Sequence, residues 1–299
     1  MRSRSALLFC LGGLALVISG TTNVLQATTS APPSNDLPAG RPLSIGPGPL
    51  ALLVSTPTPA PTVTATPTPK PTPKFTPNPP LRPWSGPAPL VYNGPRTRKI
   101  IAITIDDCFS VDAVRADLAI LKAQKVNATF FPIGHVAALS PSLWHSIAAA
   151  GFPVANHTYD HANLTRYTYA QIVADIKQDN TLLTKIIGGP PAPFVRPMGG
   201  SWNSTVLAAA AAAGERYVVN WDTTDGDTAS APGRTEVDLL VRNAIRGTNG
   251  SIILMHANLP YTQQALPLII AYYRARGFTF VTLGQMFGVP GPVPFPPTT

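Results

Sequence analysis

The sequence predicts an α/β architecture of seven parallel β/α units, and three observations carry that prediction. From residue 99 onward, apolar β-rich runs alternate with segments of helical apolar spacing. The first run, 100–105, reads Ile-Ile-Ala-Ile-Thr-Ile, the β-branched composition of a strand covered on both faces. Isolated polar residues follow the runs, at the strand ends where parallel β/α folds place chemistry. Periodicity leaves two closures open, an incomplete barrel and an open sheet.

The strands expected in order are 100–105, 128–132, 153–156, 194–196, 217–221, 251–255 and 279–283. Between them, apolar spacing predicts helices at 111–125, 141–150, 169–187, 204–213, 236–246 and 263–276, several closed by glycine as expected at C′. The alanine run 208–213 is a helix former and implies no chemistry.

Outside this region the chain has another character. Residues 1–27 carry Arg2 and Arg4, an apolar run from Ala6 to Ile18 and a small, polar end at Ala27, the layout of a signal peptide. An uncleaved N-terminal anchor is the alternative, although the apolar run is short for a span of about 20 residues. Residues 28–97 are rich in Pro and Thr, and 20 of the 35 prolines fall within 28–96. Such composition predicts a disordered, solvated linker of polyproline type, able to reach about 200 Å if fully extended. Residues 289–299 form a second Pro-rich segment, a tail. The expected organisation is leader, linker, globular domain over 98–288 and tail, with the protein secreted or held at the cell envelope.

The formal charge of +8 is concentrated outside that domain, which has 15 basic and 13 acidic side chains. Nucleic-acid binding is thereby poorly supported, since no basic excess is present to neutralise phosphates. The basic leader and linker suit a tether to an anionic wall or membrane surface. Of the two cysteines, Cys10 lies in the leader, so Cys108 is left without an internal disulfide partner.

The groups following the strands are Asp106-Asp107, then His157 and His161, then Arg196, then Trp221-Asp222 with Asp225 and Asp227, then His256. Two adjacent carboxylates closing a buried strand repel each other, and a divalent cation would offset that cost. A cap or turn for the next helix is the plainer reading of the pair. His157 and His161 have i, i+4 spacing and, with one carboxylate, make a His2Asp set typical of catalytic zinc. His135 and His145 have no sequence partner, and Asp160 suits a local hydrogen bond better than ligation.

These segments resemble the motifs of the polysaccharide deacetylases, carbohydrate esterase family 4, also called the NodB-homology domain. TIDDCFS resembles Thr-Phe-Asp-Asp-Gly, and NHTYDH resembles His-Ser/Thr-x-x-His. VRPMGGSWN, WDTTDGDT and ILMHAN are similar to the family's Arg-Pro-Pro-Tyr-Gly-x-x-Asn, Trp-Asp-x-Asp-x-x-Asp-Trp and Leu-x-His segments, in family order. The resemblance implies a distorted, incomplete (β/α)7 barrel and a metal-dependent hydrolase that removes N-acetyl groups from a GlcNAc-containing polysaccharide. It implies Asp107, His157 and His161 as ligands of a divalent metal, zinc first, with cobalt or nickel as alternatives. By the same resemblance Asp106 is the general base, His256 the general acid, Arg196 the residue orienting the base and Asp227 the support of the acid. From the residues alone, Asp222 or Asp225 could equally serve that last role. The resemblance also implies Gly199 as the backbone N–H oxyanion donor and Leu254 as lining the acetyl pocket, part of whose apolar wall is missing at Thr228 unless Trp202 or Trp221 fills it.

Three positions depart from the family pattern: Cys108 for glycine, Gly199 for tyrosine and Thr228 for tryptophan. Cys108 is read as a small buried residue, with a reactive or ligating thiol as the alternative. Two other functions stay open: an O-deacetylase of acetylated xylan, which the same chemistry serves, and a glycan-binding wall protein with weak turnover. The catalytic domain is expected to be monomeric, with a cell-wall or chitin-like polysaccharide as its partner.

Overall fold

A computed structural model describes residues 86–228, 235–258 and 260–296. In chain order it contains β1 (Leu90–Val91), β2 (Ile100–Asp107), α1 (Val111–Gln124), β3 (Ala128–Pro132), α2 (Gly134–Ala137) and α3 (Pro141–Ala149). Then come β4 (Ala155–Asn156), α4 (Tyr169–Ile187), β5 (Ala192–Val195), α5 (Ser204–Ala212), β6 (Tyr217–Val219) and β7 (Thr223–Thr224). The series ends with α6 (Val237–Ala244), β8 (Ser251–His256), α7 (Pro260–Ala275), β9 (Thr279–Phe280) and α8 (Leu283–Phe287).

The named strands pair in parallel in two sheets, β1-β6-β5-β4 and β3-β2-β8-β7, with β9 also on β2. A parallel bridge between Phe130 and Val154 joins the sheets on one side, and an antiparallel bridge between Asn93 and Ser251 links them on the other. The outcome is the distorted barrel, in preference to an open sheet.

Strand alternation explains its layers. Ile101, Ile103 and Ile105 of β2 pack outward with the helical residues Leu121, Leu266 and Ile270. Ile100 and Ala102 point the other way, among Phe131, Phe194, Val219 and Ile252 from neighbouring strands, and fill the barrel. Thr104 and Asp106 continue that inner series, so the period of two delivers the Asp106 carboxylate to the interior at the C-terminal mouth.

Several boundaries differ from the sequence expectation. Within residues assigned to the linker, β1 pairs with β6, Ala88 is buried and its N–H donates to Leu207 O, so the folded unit begins before residue 98. Two-residue strands carry no readable period, which is why β1 and β7 escape a periodicity search. The run 279–283 stops as a strand at Phe280, because Thr282 caps α8 in a capping box with Gln285. The run 217–221 stops at Val219, and the carbonyls of Val219 and Asn220 accept from Arg196. The proline tail also docks in part: the Phe295 backbone exchanges hydrogen bonds with the Asn127 side chain, and its ring meets Phe152 edge-on. The leader, and the linker as far as residue 85, lie outside the described residues.

Candidate active site

Two carboxylate–imidazole clusters meet at the C-terminal mouth. Their geometry starts at β2, where Asp106 is in register with His256 of β8. Asp106 is buried, and its Oδ1 accepts from Arg196 Nη1 at 2.7 Å. The fully buried guanidinium also donates to Thr104 Oγ1, Val219 O and Asn220 O, and lies 4.5 Å from the Phe131 ring centroid. Burial depresses the Arg196 pKa, and the Asp106 charge opposes that shift. With four acceptors around it, the guanidinium has one orientation, and so does the carboxylate it grips.

Asp107 leaves the strand at a φ of 61°, and Cys108 follows at 64°. Alternation alone would send Asp107 to the helical layer; the left-handed turn carries it into the mouth. There Asp107 Oδ1 lies 3.2 Å from both His157 Nε2 and His161 Nε2. Burial would raise the Asp107 pKa, but its contacts with the two histidines win and hold it well below the usual carboxylate range. His157 Nδ1 lies 2.7 Å from Arg196 O. A carbonyl only accepts, so Nδ1 carries the hydrogen and Nε2 is the atom turned to Asp107.

Three ligand atoms, one from each of Asp107, His157 and His161, lie within 4.8 Å of one another. Lone pairs from one carboxylate and two imidazoles converge there, and only protons or a cation reconcile them. Oxygen and nitrogen donors of this kind suit a divalent metal ion. Asn258, which the sequence reading missed, donates to Asp107 Oδ2 at 3.2 Å and accepts from Phe109 N. Its signal was available as the last residue of ILMHAN.

The second cluster has the opposite polarity. His256 Nδ1 lies 2.7 Å from Asp227 Oδ1, while Asp227 Oδ2 accepts from His256 N and Thr262 Oγ1. Burial pulls the His256 pKa down, but the bond and charge of Asp227 prevail and raise it to about 9. Burial likewise opposes ionisation of Asp227, and His256 holds it below the ordinary carboxylate value. Asp225 is pushed well up by burial and by the Asp227 charge. Asp222 is occupied elsewhere, accepting from Arg96, Ser251 Oγ and Ile252 N. Of the three aspartates in this stretch, Asp227 is the one on His256.

Around these clusters Leu254 lies on β8 two residues before His256, and Trp221 lies 5.6 Å from Arg196 Cζ. Gly199 occupies a turn just after Arg196 with a φ of 59°. Trp202 is farther along this loop, half exposed, with Nε1 donating to Tyr92 OH. Cys108 is buried, with Sγ near the carbonyls of Ile105 and Asp106, and burial pushes its thiol pKa up. His135 is turned to Tyr159 O, and His145 lies on α3.

Residues 93–218 match the family model for polysaccharide deacetylase. A peptidoglycan-N-acetylglucosamine deacetylase of Bacillus cereus is 31% identical over 203 residues, 66% of this chain and 71% of that protein. A chitooligosaccharide deacetylase of Rhizobium leguminosarum bv. trifolii is 31% identical over 200 residues, 62% of this chain and 90% of that one. Among solved structures, a family 4 carbohydrate esterase from Streptomyces lividans in complex with acetate superposes with a TM-score of 0.56 at 30% identity, covering 64% and 93% of the two chains.

Proposed function

The chain belongs to the polysaccharide deacetylase family, a family of hydrolases, and on that premise we propose that it hydrolyses N-acetyl groups of a GlcNAc-containing polysaccharide, peptidoglycan or a chitin-like polymer. The observation that carries the reading is the pairing of Asp106 and His256, in register across β2 and β8, beside the Asp107, His157 and His161 cluster. Relatives named as deacetylases of peptidoglycan N-acetylglucosamine and of chitooligosaccharide support the substrate class.

Asp107, His157 and His161 would hold a divalent cation, zinc before cobalt or nickel. When bound, such an ion polarises an acyl oxygen and lowers the pKa of water. Asp106, oriented by Arg196, takes the proton from the attacking water as general base. Asp227 holds His256 by Nδ1, so the Nε2 proton of the imidazolium remains for the departing nitrogen. With the raised pKa, His256 keeps that proton at neutral pH. Cleavage of the C–N bond then yields acetate and a free amine. The Gly199 N–H serves as the oxyanion donor, and Leu254 with Trp221 and Trp202 lines the acetyl and sugar side.

Residues 1–27 and the Pro/Thr-rich segment suit export and a tether to wall or membrane, with the folded unit acting as a monomer. Acetate release by the full chain from peptidoglycan, chitooligosaccharides and acetylxylan, with and without chelator, tests the function. Chelator-sensitive release from the N-acetylated polymers is expected. Release from acetylxylan alone would make it an O-deacetylase, and binding of glycan without release under any divalent metal would make it a binding protein.

A further inference from the structure

The loop that presents His157 and His161 is held from an unexpected distance. Four successive amides in it have side-chain acceptors: Thr158 N donates to Asn156 Oδ1, Tyr159 N and Asp160 N to the Asp175 carboxylate, and His161 N to Thr158 Oγ1, at 2.8–3.1 Å. Thr158 and His161 adopt φ values of 67° and 52°. Left-handed backbone is costly for a non-glycine residue, so the loop keeps its shape only where its surroundings over-determine it.

Asn156 is itself held from below. Its Nδ2 donates to Ile176 O and to Asn180 Oδ1 on α4, each at 2.9 Å, and Asn180 Nδ2 donates to Glu215 Oε1 at 2.7 Å. Glu215 is buried two residues before β6, at the opposite end of the strands from the mouth. The series has a fixed polarity. Because Asn156 Oδ1 accepts from Thr158 N, its amide group must face Asn180. Asn180 must then turn its oxygen to Asn156 and its NH2 to residue 215, and only an acceptor there completes the series.

Resting on the reading of Asp107, His157 and His161 as a cation site, we propose that Glu215 is a positioning residue for the loop at 157–161, acting through Asn180 and Asn156. It fixes which way each amide points, and through Thr158 N it fixes where the two imidazoles stand. Burial raises its pKa to about 8, against the Asn180 hydrogen bond. Glu215 Oε2 has no partner and can take the proton, so Oε1 remains an acceptor in both states.

The test uses the full chain, with two readouts: hydrogen exchange at the Thr158 amide and cobalt(II) affinity followed by visible absorbance. Glu215→Leu is expected to speed exchange and weaken cobalt binding by about tenfold, the size typical of losing an outer-shell support. Glu215→Gln, which keeps the acceptor, should restore both, and Asn180→Ala should reproduce the loss. Wild-type exchange and affinity in Glu215→Leu would overturn the proposal, as would a failure of glutamine to restore them. Should the leucine variant not fold, wild-type values in Asn180→Ala overturn it equally. If the unaltered chain binds no cobalt, the cation reading fails by itself, while exchange at Thr158 still decides the role of Glu215.

Discussion

Two aspartate–histidine clusters face each other across the mouth, built from the same residue types and wired in opposite directions. In the β2/β4 cluster His157 gives its Nδ1 hydrogen to the Arg196 carbonyl and turns Nε2 to Asp107. In the β8 cluster the carboxylate of Asp227 engages Nδ1 of His256, leaving Nε2 outside that bond. On the proposed roles, the uncharged carbonyl beside His157 Nδ1 leaves Nε2 available to a cation, while the Asp227 carboxylate favours the protonated form of His256. Residue type alone therefore says little about role; the surroundings of each imidazole distinguish the two.

The comparison breaks most completely at Asp106, which stands between the clusters. Asp106→Asn keeps a hydrogen-bonding side chain but removes the base, and steady-state kinetics should show kcat lower by up to about 10⁴-fold with the fold retained. Near-normal turnover in that variant would remove Asp106 from the mechanism.

Asp227→Asn should act next most strongly, by turning the protonated His256 into an ordinary histidine. A loss of about 10²-fold in kcat is expected, and the alkaline limb of the pH–rate profile should move from about 9 toward 6.5. The sign for stability follows. His256 has a folded pKa above its ordinary value, so its contribution is complete below about 6.5 and is lost as pH rises through about 9. Chemical denaturation of wild type across that window should show the decline, and the Asn variant should lack it.

On the other cluster, Asn258→Ala frees Asp107 Oδ2. Metal affinity measured by chelator competition should fall about tenfold, with the alkaline limb of the profile unmoved. A shifted limb would mean that the clusters are not separable.

The smallest effect is expected at Cys108, whose φ of 64° is one that glycine takes without strain. Cys108→Gly should change unfolding free energy by no more than about 2 kcal/mol and leave metal affinity unaltered. Weaker metal binding would make the thiol a ligand after all.

Much of this site could be read from the chain because most of its groups follow a strand whose apolar run is visible. Asp106-Asp107 after 100–105 and His256 after 251–255 are legible for that reason. Asp227 was legible only through the resemblance, since three aspartates share six residues and only the structure shows Asp222 engaged with Arg96 and Ile252. Asp175 and Glu215 carry no periodic or motif signal; their roles arise from contacts across 15 to 35 positions in sequence. The fold shows the same limit: long runs were visible, while β1 lay hidden among prolines.

The most direct test of the unlike wiring is ¹⁵N NMR of the histidine rings at pH 7.5, before and after one equivalent of zinc. His256 should carry hydrogens on both nitrogens throughout, while on zinc addition the Nε2 signals of His157 and His161 move and their Nδ1 hydrogens remain. Loss of a proton from His256 on zinc addition, or unchanged rings of His157 and His161, would contradict the account.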